Sequence, residues 1–170
     1  QPQKNIVKIG AQTNTTIGGF YSLETKRVYT QAEAAQNQAK IDILCFYEAE
    51  GGNNISLAGP GSNITGIFTG ETAPETWTVK NETHFTSVVV DSVAGPMTIA
   101  KFDQLQDGAA IIRSYFNETQ TSGIRKAKDL QVDDIRTFMT VDSTFVIYKV
   151  LSVAQGADGY VEFEYKKYKP

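Results

Sequence analysis

This chain of 170 residues has one cysteine, one histidine and one tryptophan, and these shortages exclude several kinds of site. A lone cysteine cannot form a disulfide within the chain, and Cys45 and His84 supply too few ligands, at the wrong spacing, for zinc. Cys45 lies in the apolar stretch 40–48, where a buried thiol is usually inert, so packing is favoured over reactivity. We expect neither a metal nor another cofactor.

An excess of positive charge and long apolar runs are also lacking. The net charge is −3, and affinity for nucleic acid comes from Lys and Arg that neutralise phosphates, so no nucleic-acid partner is expected. The longest apolar runs span a few residues, whereas a membrane helix needs roughly twenty. The densest basic cluster, Lys166, Lys167 and Lys169, is expected on an exposed edge strand, where lysine discourages unwanted pairing.

Catalytic motifs are scarce as well. No Gly-X-Ser-X-Gly elbow, P-loop or EF-hand spacing occurs, and His84 is expected to be an ordinary strand-end histidine rather than a catalytic base. A glycosidase, however, needs only two carboxyl groups from any elements. Asp42 and Glu48 are the weak catalytic candidates, because a carboxylate that begins an apolar strand can be buried with a shifted pKa. A turn or backbone hydrogen bond is the other explanation for Asp42.

Trp77 is the candidate for ligand binding. Sugar-binding proteins stack pyranose rings on exposed aromatic side chains, and Trp77 follows the loop-like stretch 49–75 in a Thr-rich segment. A lone tryptophan in a β-rich protein is otherwise a core residue. The sequence leaves both interpretations open.

The strongest structural signal lies at the C-terminal end. Residues 144–153 are rich in β-branched and aromatic side chains, 155–159 contain Gly and Asp-Gly, and 160–169 alternate apolar and charged residues. This pattern predicts a β-hairpin. A further strand at 135–141 makes it a three-strand meander.

The rest of the chain predicts short strands and short helices. A capping box at Thr30 and Glu33 begins a helix that ends near residue 38. A second helical stretch covers 99–116, with a break at 107–108 where Asp107 can cap the second piece. Strands are predicted at 6–9, 18–22, 27–30, 40–48, 77–80 and 85–90, with 40–48 central because both of its faces are apolar.

Five Asn-X-Ser/Thr sequons occur, at Asn14, Asn54, Asn63, Asn81 and Asn117. Chance would give roughly one or two. One explanation is a secreted eukaryotic glycoprotein with exposed loops. The other is composition, because Asn and Thr both favour turns and strand ends.

The chain resembles exported domains and lipoproteins of unknown function from gut Bacteroidetes. The resemblance rests on the progression Gly18-Gly-Phe-Tyr-Ser-Leu23, Arg27-Val-Tyr-Thr30, Glu33-Ala34 and Lys40-Ile-Asp-Ile43, and on the closing meander from Phe138 through Tyr148-Lys-Val150. It implies export to the periplasm or cell surface, often with a lipid on an upstream cysteine. In such bacteria Asp91-Ser-Val93 would be a candidate O-glycosylation site.

Together these observations predict one α+β domain over residues 1–170, with a mainly antiparallel sheet and two or three short helices packed on one face. The predicted function is a non-catalytic, exported binding or structural module of the cell envelope that contacts glycan or another protein. A carbohydrate-active hydrolase with two carboxylates is the alternative.

Overall fold

The computed structural model describes residues 3–90, 95–120 and 125–170. Ten strands and two α-helices are present in these residues. In chain order they are β1 (Asn5–Gly10), β2 (Phe20–Ser22), β3 (Arg27–Tyr29), α1 (Gln31–Ala35), β4 (Ile43–Glu48), β5 (Asn54–Ala58), β6 (His84–Ser87), α2 (Ile99–Gln104), β7 (Lys126–Ala127), β8 (Ile135–Met139), β9 (Phe145–Ala154) and β10 (Tyr160–Tyr168). Short 3₁₀ turns connect several of them, including Pro74–Thr76 and Ala110–Tyr115.

The strands form two antiparallel sheets of five strands each. The first sheet has the order β1-β10-β9-β8-β6, and the second has the order β3-β2-β4-β5-β7. This confirms the predicted α+β class with few short helices, and the structure divides the predicted sheet into two. The predicted meander is confirmed as β8, β9 and β10 in neighbouring positions.

The two sheets pack face to face around the main hydrophobic core. Alternate residues of β9 and β10 point into it, including Tyr148 and Phe163, and they meet Ile43 and Cys45 of β4. The hydroxyl groups of Tyr21 and Tyr165 join the sheets with a hydrogen bond of 2.8 Å. Burial of apolar area on both inner faces is the main driving force for this arrangement.

The outer face of each sheet is covered by a different segment. On the second sheet, Phe20, Leu44 and Phe46 pack against α1 and the stretch 64–77. On the first sheet, Phe145 and Ile147 pack against α2 and the turn Ala110–Tyr115. Both faces of β4 are therefore apolar, which confirms its predicted central position.

Local signals explain where several elements begin. The capping box is confirmed: the Thr30 side chain accepts from the Glu33 N–H while the Glu33 carboxylate accepts from the Thr30 N–H. Gly156 in the final hairpin has a positive φ of 108°, which favours glycine.

Residues 54–58 lie within the stretch 49–75, which the sequence predicts as mostly loop with brief extended pieces, and they form β5, whose apolar residues pair with β4. Two other local predictions were wrong. The predicted strand 77–80 is absent from the described residues, because Trp77 leaves the turn Pro74–Thr76 to pack inward. Asp107 does not cap the second helical piece, which begins after Ala109 without a side-chain cap.

The basic cluster at the C-terminal end was also placed wrongly. β10 is not an edge strand, because β1 pairs with Tyr160–Tyr165 and, beyond it, the Lys167 backbone bonds to Asp107 and Gly108. The Lys166 side chain is buried under α2. Pairing between strands about 155 residues apart in sequence leaves no local signal, so the alternating charges of β10 suggested an exposed face.

Candidate functional site

Asp42 lies just before β4, at the junction of β4 with β2. Its backbone N–H donates to the Tyr21 carbonyl, and its carboxylate Oδ2 accepts from the Leu23 N–H at 2.7 Å. The Thr83 hydroxyl donates to the Asp42 carbonyl at 2.6 Å. These three bonds fix the orientation of the residue.

The Asp42 carboxyl group is half-buried, and burial is the largest influence on its pKa. Burial raises the pKa from 3.8 to about 6, against the hydrogen bond from Leu23, and the negative charges of Asp142 and Glu24 raise it further. The group is thus divided between its two protonation states near pH 6, as the sequence suggested for a carboxylate at this position.

Asp42 lines a surface cleft with a volume of about 260 Å³. We call it the Asp42 cleft. It is built from the segment after β2, the approach to β4, the turn between β8 and β9, and the end of β10. Its charged lining residues are Glu24, Lys40, Asp42, Asp142, Lys167 and Lys169. Val141, which is 54% exposed, lies among them.

Asp142, the second aspartate of this cleft, is held by the turn that carries it. Oδ1 accepts from the hydroxyls of Thr140 at 2.5 Å and Thr144 at 2.9 Å, and Oδ2 accepts from the Lys169 ammonium at 3.0 Å. Partial burial favours a higher pKa, but these hydrogen bonds outweigh it and lower the pKa to about 2. The pKa values of Asp42 and Asp142 are therefore well separated, although both residues line the same cleft.

The second catalytic candidate, Glu48, is not brought to Asp42. The two residues lie at opposite ends of β4, a separation of about 20 Å at the rise of a β-strand. Paired glycosidase carboxylates lie about 5–10 Å apart. Glu48 Oε1 accepts from the Asn53 amide at 2.5 Å, which orients the tight turn into β5.

Trp77 lies inside the cluster on the outer face of the second sheet. It is 4% exposed, its ring is 5.7 Å from that of Phe20, and its indole N–H donates to the Thr72 carbonyl at 2.8 Å. Packing and the hydrogen bond occupy both the apolar body and the polar edge of the ring. This placement corresponds to the core interpretation, and it leaves no exposed ring face for a sugar.

The single imidazole and the single thiol are also held within the fold. His84 begins β6, and its Nδ1 is buried with no hydrogen-bond partner among the described residues. Cys45 is 0% exposed, and burial raises the pKa of its thiol well above the usual range. The described residues contain no group of three His, Cys, Asp or Glu side chains that could hold a metal ion.

Three of the five sequon asparagines serve the fold through their side-chain amides. Asn14 donates to the Asp158 and Gly159 carbonyls, Asn54 to the Asp129 carboxylate, and Asn81 to the Ala39 and Ile41 carbonyls. A glycan replaces one of the two hydrogens on the amide nitrogen, so at Asn14 and Asn81, where that nitrogen donates to two carbonyls, one of the bonds would be lost.

At Asn63 and Asn117, by contrast, the amide nitrogen makes no hydrogen bond to a described residue, and Asn117 accepts from Thr119 through its oxygen. The distribution favours turn chemistry as the reason for at least three sequons. Asp91-Ser-Val93 lies outside the described residues.

Sequence reasoning missed two buried charged residues of β10. Glu164 is 3% exposed, and Lys166 is buried beside it, with its ammonium donating to the Phe102 carbonyl. Burial lowers the pKa of Lys166, while the charges of Glu164 and Asp103 act to raise it. The amphipathic pattern of 99–116 could have indicated that part of a sheet is covered, because the apolar side of this segment must pack on a sheet face.

The architecture is that of a two-sheet α+β protein. Comparisons with known proteins add one similar fold. No family model matches the chain, and no curated protein matches it. Among solved structures, a DUF4466 family protein from Parabacteroides merdae ATCC 43184 is similar, with a TM-score of 0.53 and 14% identity. The alignment covers 98% of this chain and 54% of that one, so the chain spans about half the length of its neighbour.

At this identity the likeness shows the fold alone. The neighbour belongs to a family of unknown function from the gut Bacteroidetes, which agrees with the group that the sequence resembles. No helix within the described ranges is long and apolar enough to span a bilayer.

Proposed function

We propose that the chain is a non-catalytic binding module exported to the periplasm or cell surface, and that it contacts an envelope glycan or protein through the Asp42 cleft. The observation that carries this proposal is the cleft itself. Acidic and basic side chains from four separate segments converge there around an exposed valine. Such a mixture of donors, acceptors and apolar surface suits recognition of a neutral, hydroxyl-rich or mixed-charge surface.

The state of the two aspartates supports binding over catalysis. Both oxygens of Asp142 accept hydrogen bonds from protein groups, and Asp42 accepts one from the Leu23 backbone. A catalytic nucleophile or base needs a lone pair directed at the substrate. Here Asp142 mainly stabilises the turn between β8 and β9.

The export proposal is supported by the sequence resemblance and by the bacterial group of the structural neighbour. Locating the protein in fractionated cells tests it. Recovery in the cytosolic fraction would overturn this part of the proposal.

A hydrolase is the second candidate, and one observation favours it. The pKa of Asp42 is about 6 and that of Asp142 is about 2 within the same cleft. Carboxyl groups whose pKa values are pushed apart can act as general acid and as nucleophile or base. In that case activity would fall as the pH rises above about 6, because Asp42 would lose its proton.

Incubation with immobilised and insoluble polysaccharides, followed by assay of the supernatant for released sugar, separates these functions. Binding without release is expected, and the Asp42→Asn variant should weaken retention by roughly tenfold through loss of one charged hydrogen-bonding group. Glu48→Gln is the matched control, because it changes a carboxylate at the far end of β4. Sugar release that Asp42→Asn abolishes would overturn the non-catalytic function in favour of the hydrolase.

A further inference from the structure

A second cleft lies on the outer face of the first sheet, between β1, β10 and the end of α2. We call it the Glu164 cleft. Its volume is about 400 Å³, which is within the range of small-molecule sites. The charged side chains that line it are Lys4, Asp103, Asp107, Glu164 and Lys166.

Most charged groups around this cleft already have partners in the protein. The Asp103 carboxylate accepts from the Lys149 ammonium at 2.7 Å. Asp107 accepts from the Lys167 N–H at 3.0 Å through one oxygen and from the Asn5 amide at 3.1 Å through the other. These interactions fix the walls of the cleft.

Glu164 is the exception among the buried groups. It is 3% exposed and lines the cleft, yet its carboxylate makes no hydrogen bond or ion pair with any described residue. Lys149 lies opposite it in the β9–β10 register and Lys166 lies two residues along β10, so nearby positive charge offsets its charge without bonding to it. Buried carboxylates normally accept hydrogen bonds, because desolvation is costly otherwise.

We propose that the Glu164 cleft binds a saccharide whose hydroxyl groups donate to the Glu164 carboxylate. Two neighbouring hydroxyls on a sugar ring can donate to the two oxygens of one carboxylate. Their own oxygens can then accept from the ammonium and amide groups on the rim, which Lys4, Gln3 and Gln106 provide.

The charge distribution of the cleft favours a neutral ligand. Three carboxylates and two ammonium groups line it, so a strongly anionic or cationic ligand would meet groups of its own sign. A hydroxyl group, which donates and accepts, fits this alternation of acceptors and donors.

This inference goes beyond the proposed function and does not depend on the Asp42 cleft. Glu164 and Lys166 lie on the outer side of β10, whereas Lys167, the next residue, lines the Asp42 cleft. The Asp42→Asn variant should therefore leave saccharide binding at Glu164 unchanged. Failure of one proposal is distinguishable from failure of the other.

Titration of the ¹⁵N-labelled protein with methyl glycosides of mannose, glucose and galactose tests the proposal. At millimolar concentrations, at least one glycoside should shift the amide signals of Leu105, Gln106 and Lys166. Glu164→Gln should weaken that binding by roughly tenfold or more, since a charged acceptor is lost. Glu162→Gln is the matched control, because it changes a glutamate of the same strand that does not line the cleft.

Gln106→Ala on the exposed rim provides a second variant if Glu164→Gln fails to fold. It should weaken binding by a smaller factor. Absence of shifts with every glycoside would overturn the proposal. Shifts with putrescine but not with the glycosides would also overturn it, and would identify a cation site instead.

Discussion

The inner and outer faces of the first sheet are both covered, but with different chemistry. The inner face presents aromatic and aliphatic side chains such as Phe138, Tyr148 and Phe163 to the second sheet. The outer face carries the apolar Phe145 and Ile147 at one end. Nearer to β1 it carries three buried charged residues, Lys149, Glu164 and Lys166. Burial of apolar area explains the first face completely, whereas the buried charges of the second require another reason.

We infer that the inner face of this sheet serves stability and that the charged part of its outer face serves recognition. A face that only stabilises the fold can be filled with well-packed apolar groups, which are often at least as stabilising as buried ion pairs. Charges retained under α2, with one carboxylate left without a hydrogen-bond donor, are better suited to recognition than to stability.

Truncation on the inner face should have the largest effect. Phe138→Ala removes a ring that is fully buried and lies 5.4 Å from Phe85 and 5.7 Å from Tyr148. We expect the free energy of unfolding to fall by about 3–5 kcal/mol, from lost burial and the cavity left behind. Urea denaturation measures this change. A loss below about 1 kcal/mol would show that the inner face is not the main source of stability.

Stability between about pH 4 and pH 7 should depend on Asp42, whose half-buried carboxyl group has a raised pKa. The raised pKa means that the folded protein keeps this proton while the unfolded chain loses it. Its contribution is therefore fully present below about pH 4 and is lost as the pH rises through about 6, by about 2–3 kcal/mol in total.

Asp42→Asn removes this titration, so the variant should gain stability over the native protein as the pH rises from about 4 to 7. Urea denaturation across this range provides the measurement. Asp142 does not interfere, because its lowered pKa affects stability only as the pH falls from about 4 toward 2. Parallel pH profiles for the two proteins would contradict the expected burial of Asp42.

Two tyrosines of the inner face allow the smallest and most selective test. The Tyr148 hydroxyl is buried without a hydrogen-bond partner among the described residues, whereas that of Tyr165 bonds to Tyr21 at 2.8 Å. Tyr148→Phe should be neutral or stabilise by about 1 kcal/mol, and Tyr165→Phe should destabilise by about 1 kcal/mol. Thermal denaturation of the pair measures both effects, and each variant is the control for the other. Equal destabilisation by both would mean that Tyr148 has a partner.

The local parts of the fold were predictable from sequence, and the long-range parts were not. The hairpin of β9 and β10, the capping box at Thr30 and the central position of β4 follow from periodicity, turn residues and two-sided apolarity. The pairing of β1 with β10 joins the two ends of the chain, and α2, which lies far earlier in the chain, covers Lys166. Nothing near Lys166 in the sequence indicates either contact. Ile41 shows the same limit. Alternation along the predicted strand 40–48 would put it on the same face as Ile43, but it lies before β4 and packs on the other face.

The candidate site was predictable only in part. Asp42 was selected for its position before an apolar strand, and that position does give it a raised pKa. Its neighbour Asp142 comes from a turn about 100 residues later, and no local pattern in the sequence relates the two residues. Trp77 was selected by residue type, and tertiary packing placed it in the core.

Cys45 has a consequence for how the motions of this protein can be followed. Its sulfur lies between the two sheets with no exposed surface, and it is the only thiol in the chain. A reagent dissolved in the solvent meets this atom only in the moments when the sheets separate, and fraying of an outer loop leaves it covered. The rate at which this thiol is modified therefore reports how often the whole molecule opens.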